Sequence, residues 1–273
     1  MASRPRHDER REDRPDGGRN ERQEGLPDGR QNGRQNWRPD GRQDAGQDVR
    51  ANGRQAERNA RPKQTRKPPH ERRAEIVRTA ARVALAEGLE LITLRRVADE
   101  LGVRPSLIGH YFPAADDLVA EAFTYAAAAE RDSLLPQEER HLPPVDRLAL
   151  FLVRLTGGDC TDLSRLWLNA RHLSRFKEPL RRAVGAQETA TRGALVALIE
   201  EGRLAADGNV LRAALHILIA IDGMAAYSNT DAEGTDPLPA DLDLADLVIE
   251  TTEYQLGLAP GTVRERARAN GVG

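Results

Sequence analysis

The sequence predicts an all-α protein: an N-terminal three-helix helix-turn-helix head and a larger helical body, about nine helices in all, preceded by a disordered tail. Three observations carry that reading. Beyond residue 68, apolar residues recur at the three- and four-residue spacing of a helix face, with alanine and leucine dominating and only 4% aromatic residues in the chain. The run Thr93 to Phe112, TLRRVADELGVRPSLIGHYF, spells two short helices around a glycine turn. Residues 1–67, by contrast, hold almost no aliphatic side chains.

The tail, 1–67, is low in complexity. Pro-Asp-Gly-Arg occurs at Pro27–Arg30 and again at Pro39–Arg42, and Gly-Arg-Gln recurs from Gly29, Gly33, Gly41 and Gly53. Such a segment cannot offset the entropy of ordering and is expected to be disordered. It is either a solvated tail without fixed contacts or an arginine-rich arm that adds sequence-independent phosphate contacts. Arg58, Arg61, Lys63, Arg66 and Lys67, beside the head, are its strongest segment for the second role.

The head, 68–114, starts with a helix over 69–87. Leu94, Val97, Ala98 and Leu101 form one face of the next helix, over 94–101, with Thr93 placed to cap its first free amides. Gly102 ends it, because glycine takes the left-handed conformation that a C-terminal turn needs. Pro105 suits the first turn of the helix over 105–111, where a missing N–H costs nothing. Ile108, Tyr111 and Phe112 return to the core, leaving Ser106, Gly109 and His110 outward.

The run from Arg73 to Leu118 resembles the N-terminal DNA-binding domain of TetR-family transcriptional regulators. Arg73, Ile76, Ala80, Ala81, Gly88, Thr93, Val97, Ala98, Gly102, Val103, His110, Tyr111, Phe112 and Leu118 fall at that family's spacing, and Leu107–Phe112 looks most like the BetI-like branch. The resemblance implies a ligand-responsive homodimeric repressor on a palindromic operator, with double-stranded DNA and a small-molecule effector as partners and no cofactor. Its DNA-facing candidates are Thr93, Arg104, Pro105, Ser106, Gly109, His110 and Tyr111. Three residues depart from the pattern. Arg104 replaces the usual Ser or Thr cap, at a cost of about 1 kcal/mol. Gly109 replaces a tyrosine or serine, costing about 1 kcal/mol relative to alanine, and close backbone approach to a phosphate is the expected compensation. Ala115 stands where a phosphate-binding lysine is common.

Charge orients the molecule. Residues 1–70 carry 18 basic against 12 acidic residues and 71–112 carry 7 against 6, whereas 113–273 carry 16 against 25, so only the N-terminal end suits DNA. In the body, 115–258, proline and glycine punctuation divides helices over about 115–133, 144–156, 161–173, 178–205, 208–228 and 242–257, and 259–273 is expected to be a flexible tail. The last two helices are apolar over much of their surface. Leu211, Leu215, Leu218, Ile221, Leu244, Leu247 and Val248 are therefore candidates for a dimer interface, with ordinary core as the alternative.

For a ligand pocket the candidates are polar or aromatic residues in apolar surroundings: Phe151, Trp167, Arg171, His172, Phe176 and Asp222. His216 reads as a core or interface histidine. Asp222, in an apolar helix, needs a partner: Arg154, Arg171, a second subunit or a cationic ligand. There is no Gly-x-Ser-x-Gly elbow, phosphate loop or His-Glu-x-x-His motif, and Cys160 is single, so an enzyme or a cysteine-built metal site is not expected. No uninterrupted run of 18 apolar residues or N-terminal secretory segment is present, and a cytoplasmic location is expected. The competing class is an architectural DNA-binding protein with little sequence preference.

Overall fold

The computed structural model describes residues 67–157, 161–205, 207–229, 239 and 242–272. The expected tail up to residue 66, Cys160 and the loop residues 230–238 lie outside them.

Ten α-helices and no strand occur among the described residues. In the head they are α1 (Pro69–Glu87), α2 (Leu94–Leu101) and α3 (Pro105–Tyr111). The body comprises α4 (Ala115–Leu134), α5 (Pro144–Thr156), α6 (Thr161–Ser174), α7 (Glu178–Gly202), α8 (Val210–Ser228), α9 (Leu244–Leu256) and α10 (Thr262–Ala269). Short 3-10 turns at Leu89–Leu91 and Gln137–His141 join α1 to α2 and α4 to α5. Prolines occupy the first turns of α1, α3, α5 and α7, where the free amides make their missing N–H harmless.

α4 packs against both α1 and α7, α6 lies on α7, and α8 pairs with α9. Apolar packing does not stop at the expected boundary near residue 114. One core runs from Ile76, Val97, Ile108 and Phe112 through Leu118 and Phe123 to Leu166 and Ala170 of α6 and Leu180 of α7. A second core joins Leu148 and Leu152 of α5 to Leu195 and Ile199 of α7, Ile217 of α8 and Val248 and Ile249 of α9. α8 is long and apolar enough by length and composition to cross a bilayer, yet its Ala213, Ala214 and Ile217 side is packed into this second core.

Two expectations are corrected. The helix expected to reach residue 205 ends at Gly202, because Arg203 turns left-handed (φ 52°) and Leu204 N donates to Ile199 O at 3.0 Å. A left-handed L-residue costs roughly 1–2 kcal/mol, and burying Leu204 against the second core offsets it.

The segment 259–273 is not a loose tail: it contains α10. Glu253, itself buried, accepts hydrogen bonds from Gly261 N at 2.9 Å and Val263 N at 2.8 Å, so a carboxylate satisfies amides at the positive end of α10. Val263 and Ala267 enter the second core, and Arg266 reaches Asp146 of α5 at 3.4 Å.

Candidate nucleic-acid interface and body cavity

The helix-turn-helix is built by local signals. Thr93 Oγ1 accepts from Arg96 N at 3.0 Å, capping α2. Gly102 is left-handed (φ 65°), and Val103 N closes back on Ala98 O at 3.0 Å. Arg104 is extended and makes no side-chain cap, so the start of α3 rests on Pro105. Ile108 and Phe112 are buried beneath α3, while Arg104, Pro105, Ser106 and His110 are exposed. Tyr111 is half-buried, its ring meeting that of His110 edge-on at 5.3 Å. Gly109 does not stand free. It borders α2, and a Cβ there would lie 3.8 Å from Leu94 Cδ1.

Cations around this face divide into held and available. Arg96 is bound by Glu87 and by Glu100 (2.8 Å), hydrogen bonds that push its pKa up. Arg73 stacks 4.7 Å over Phe112 and pairs with Glu121. Lys67, one of the expected arm cations, pairs with Glu75 at 2.7 Å. Arg95, on the exposed face of α2, has a long contact to Asp99 at 3.9 Å and no shorter ion pair among the described residues.

A cavity of about 370 Å³ lies in the body, walled by α4, α5, α6, α7 and α8. Four of the six residues expected in a pocket line it: Phe151, Trp167, Arg171 and Asp222. The other two do not. α6 ends at Ser174, which leaves Phe176 in the following turn, 74% exposed. His172 lies roughly 140° round the helix from Trp167, exposed, with its ring 5.8 Å from that of Phe176. Asp222 finds its partner inside the chain, accepting from Arg171 Nη1 at 3.0 Å.

Two acidic lining residues escaped the sequence reading. Glu188 on α7 accepts from Arg171 Nε at 2.9 Å, and Glu130 on α4 accepts from Trp167 Nε1 at 2.7 Å. Burial pushes the Glu130 carboxyl above its ordinary range, while the indole N–H pulls it down. In sequence both look like solvated helix charges; only their spacing onto the inner stripe of a long helix marks them.

The candidate dimer residues separate. Leu211, Leu215 and Leu247 are exposed, in the company of exposed Ile219, Tyr227 and Tyr254. Leu218 and Ile221 are half-buried and line the cavity, which exposed Leu215 and Ile219 also border, and Leu244 is half-buried. Val248 is 1% exposed within the second core and is unavailable to a partner. His216 is half-buried, and its Nδ1 has no hydrogen-bond partner among the described residues.

Residues 76–122 match the model of a family described as bacterial regulatory proteins, tetR family. That stretch of the head is similar to the family's N-terminal domain. Three solved structures share the fold. One is described as a TetR-family transcriptional regulator from Rhodococcus sp. (17% identity, 68% of this chain and 99% of that one, TM-score 0.56). A TetR transcription regulator from Haloarcula marismortui has 23% identity, 69% and 97% coverage and a TM-score of 0.56. A transcriptional regulator from Saccharomonospora viridis, solved in complex with choline, has 19% identity, 74% and 97% coverage and a TM-score of 0.52. No curated protein matches the chain. A helix-turn-helix head similar to that family model thus sits on an all-helical body, and the three solved structures share this fold.

Proposed function

We propose that the protein is a homodimeric, ligand-responsive repressor that binds a palindromic operator through α3 and releases it when a small molecule occupies the body cavity. The observation that carries this reading is the path of α4 and α6. α4 buries Leu118 and Phe123 in the core shared with the TetR-type head, and farther along the same helix Glu130 and Leu134 line the cavity. α6 presents Trp167 and Arg171 to the cavity, and between them Asn169 Oδ1 accepts from Leu89 N, behind α1, at 2.9 Å. A ligand in the cavity therefore touches both helices that support the head. It shifts the DNA-binding equilibrium only to the extent that it binds one arrangement better than the other.

On the DNA side, Ser106 and His110 are the base-reading candidates, and Arg104 and Arg95 supply phosphate contacts. Exposed Leu211, Leu215, Ile219 and Leu247 support a two-fold interface formed by α8 and α9 that runs along the cavity rim, which Leu215 and Ile219 also line. Dimerisation would set two copies of α3 roughly 34–36 Å apart, one turn of duplex. The wording Leu107–Phe112 supports a place in the BetI-like branch, and the choline-bound S. viridis neighbour supports a small-molecule effector. A cytoplasmic location follows from the DNA partner.

The test is selection of bound duplexes from a random pool, footprinting of the enriched sequence, and release by compounds that raise the melting temperature. A two-fold symmetric footprint lost on ligand binding is expected. Enrichment of no sequence would instead mark an architectural protein.

A further inference from the structure

The body is acidic as a whole, with 16 basic against 25 acidic residues over 113–273, but the turn from α6 into α7 is not. Residues 172–182, HLSRFKEPLRR, hold Arg175, Lys177, Arg181 and Arg182 against the single acid Glu178. Pairing leaves a surplus of positive charge. Asp116 takes Lys177, and Glu178 binds both Arg181 and Arg182, the second at 3.2 Å. Arg175 is exposed and has no ion pair among the described residues. The next acid along α7 is Glu188, which Arg171 holds at 2.9 Å.

This turn is fixed against the head. Lys177 reaches Asp116 in the first turn of α4, just beyond the end of α3 at Tyr111, and Leu180 is buried in the core that α1, α3 and α4 share. Asn169 of α6 accepts from Leu89 N, behind α1, at 2.9 Å. The corner where α3 gives way to α4, residues 111–117, contains Asp116 and Asp117 and no base. What positive charge lies beside that corner is brought by the body.

We propose that the α6–α7 turn is a second DNA-backbone contact, made by the body rather than the head, in which Arg175 and Arg182 bind phosphates beyond those reached by α3. The proposal rests on the reading of α3 as the DNA-binding element. A guanidinium matches the geometry of phosphate oxygens, and the charge of the turn is opposite to that of the rest of the body, so a polyanion is the partner it fits. DNA is the polyanion that docking through α3 brings to the adjoining corner. Phe176, 74% exposed, stands among these cations. One apolar side chain is not the apolar face with which a helix lies on a membrane. The contact would also shorten the path of regulation. α6 supplies Trp167 and Arg171 to the cavity wall and ends at this turn, so a shift of α6 reaches the DNA backbone without passing through the head.

The experiment is fluorescence anisotropy of the full chain on its selected duplex over a series of salt concentrations. Each phosphate contact contributes about 0.9 to the slope of log affinity against log salt. Arg175→Gln combined with Arg182→Gln removes two contacts per subunit, so in a dimer the slope should flatten by about 3.6. Glu178→Gln releases the arginines it binds and should steepen the slope by about 1.8, one further contact per subunit. Sequence preference should not change in either variant. Arg140→Gln combined with Arg268→Gln takes the same charge from exposed positions elsewhere on the body and should keep the wild-type slope. All five positions are exposed, so the fold should be retained. Ethylation interference should show a symmetric pair of backbone positions in the wild type that the Arg175/Arg182 variant no longer needs. An unchanged slope in that variant, or equal flattening in the Arg140/Arg268 control, overturns the proposal and leaves the regulator reading standing. If the chain binds duplexes without sequence preference and the slope still flattens as stated, the contact stands and the operator reading falls. If the wild type binds no duplex, both fall. Binding to anionic lipid vesicles that the Arg175/Arg182 variant loses, with its DNA slope unchanged, would assign the turn to a membrane and overturn the proposal.

Discussion

Gly109→Ala separates what α3 needs for folding from what it needs for DNA. Glycine inside a helix costs about 1 kcal/mol relative to alanine. The new Cβ would find one heavy atom within 4 Å, Leu94 Cδ1 at 3.8 Å, an ordinary packing distance, so nothing must move. The variant should therefore be more stable by about 0.5–1 kcal/mol, which for a folded part of this size raises the melting temperature by about 1–4 °C. Operator binding should move the other way. If the bare backbone at Gly109 approaches a phosphate, a methyl group on each of two recognition helices holds the duplex off, and affinity should fall about tenfold or more, about 1.4 kcal/mol. Calorimetric melting and fluorescence anisotropy on the selected operator read the two effects separately. A lower melting temperature would refute the packing argument, and unchanged operator affinity would refute the close approach.

His110→Ala should lower specific affinity by about 1–3 kcal/mol at one symmetric pair of operator positions and leave nonspecific binding nearly unchanged; competition assays with single-base operator variants check it. Leu247→Glu, at an exposed position on α9, should give a folded monomer by sedimentation that has lost operator binding, and a variant that stays dimeric removes this helix from the interface. Glu253→Ala strands the amides of Gly261 and Val263 and should destabilise the protein by about 2–5 kcal/mol in urea melts, whereas a melt like wild type would show α10 to be dispensable. For Glu130 the sign follows from burial, which raises the carboxyl above its ordinary 4.5. The folded state then holds the proton longer than the unfolded state, so wild-type stability is lost as pH rises from 4.5 through the raised value. Glu130→Gln should accordingly gain melting temperature over wild type as pH climbs from 4 to 8, and a gap that does not change with pH contradicts the assignment.

The head was legible because its boundaries are written in local chemistry. Thr93 caps, Gly102 terminates and Pro105 restarts within a dozen residues, and each acts on amides at most a few positions away. The cavity was half legible. Trp167, Phe151, Arg171 and Asp222 stand out as large or charged residues in apolar runs, but Glu130 and Glu188 acquire meaning only when α4 and α7 bring them to the same space. Phe176 and His172 failed for the converse reason, since proximity in sequence to Trp167 says nothing once the helix turns away or stops. The end of α7 and the whole of α10 were missed because their determinants are contacts at a distance. Leu204 stabilises a left-handed arginine by burial, and Glu253 reaches forward eight and ten residues to amides that a window centred on either segment does not connect with it.

The place of α10 in the second core bears on how the molecule is made. Every residue of the TetR-type head leaves the ribosome more than a hundred residues before Val263 and Ala267. Domains that fold during synthesis do so from the N-terminal side, so the helix-turn-helix is complete while α5 still lacks the helix that covers it. A nascent chain at that stage exposes the apolar flank of α5 together with the unpaired stripe of α8. Premature termination between Leu256 and Val263 then acts as a core mutation, leaving a folded helix-turn-helix on a body prone to aggregate.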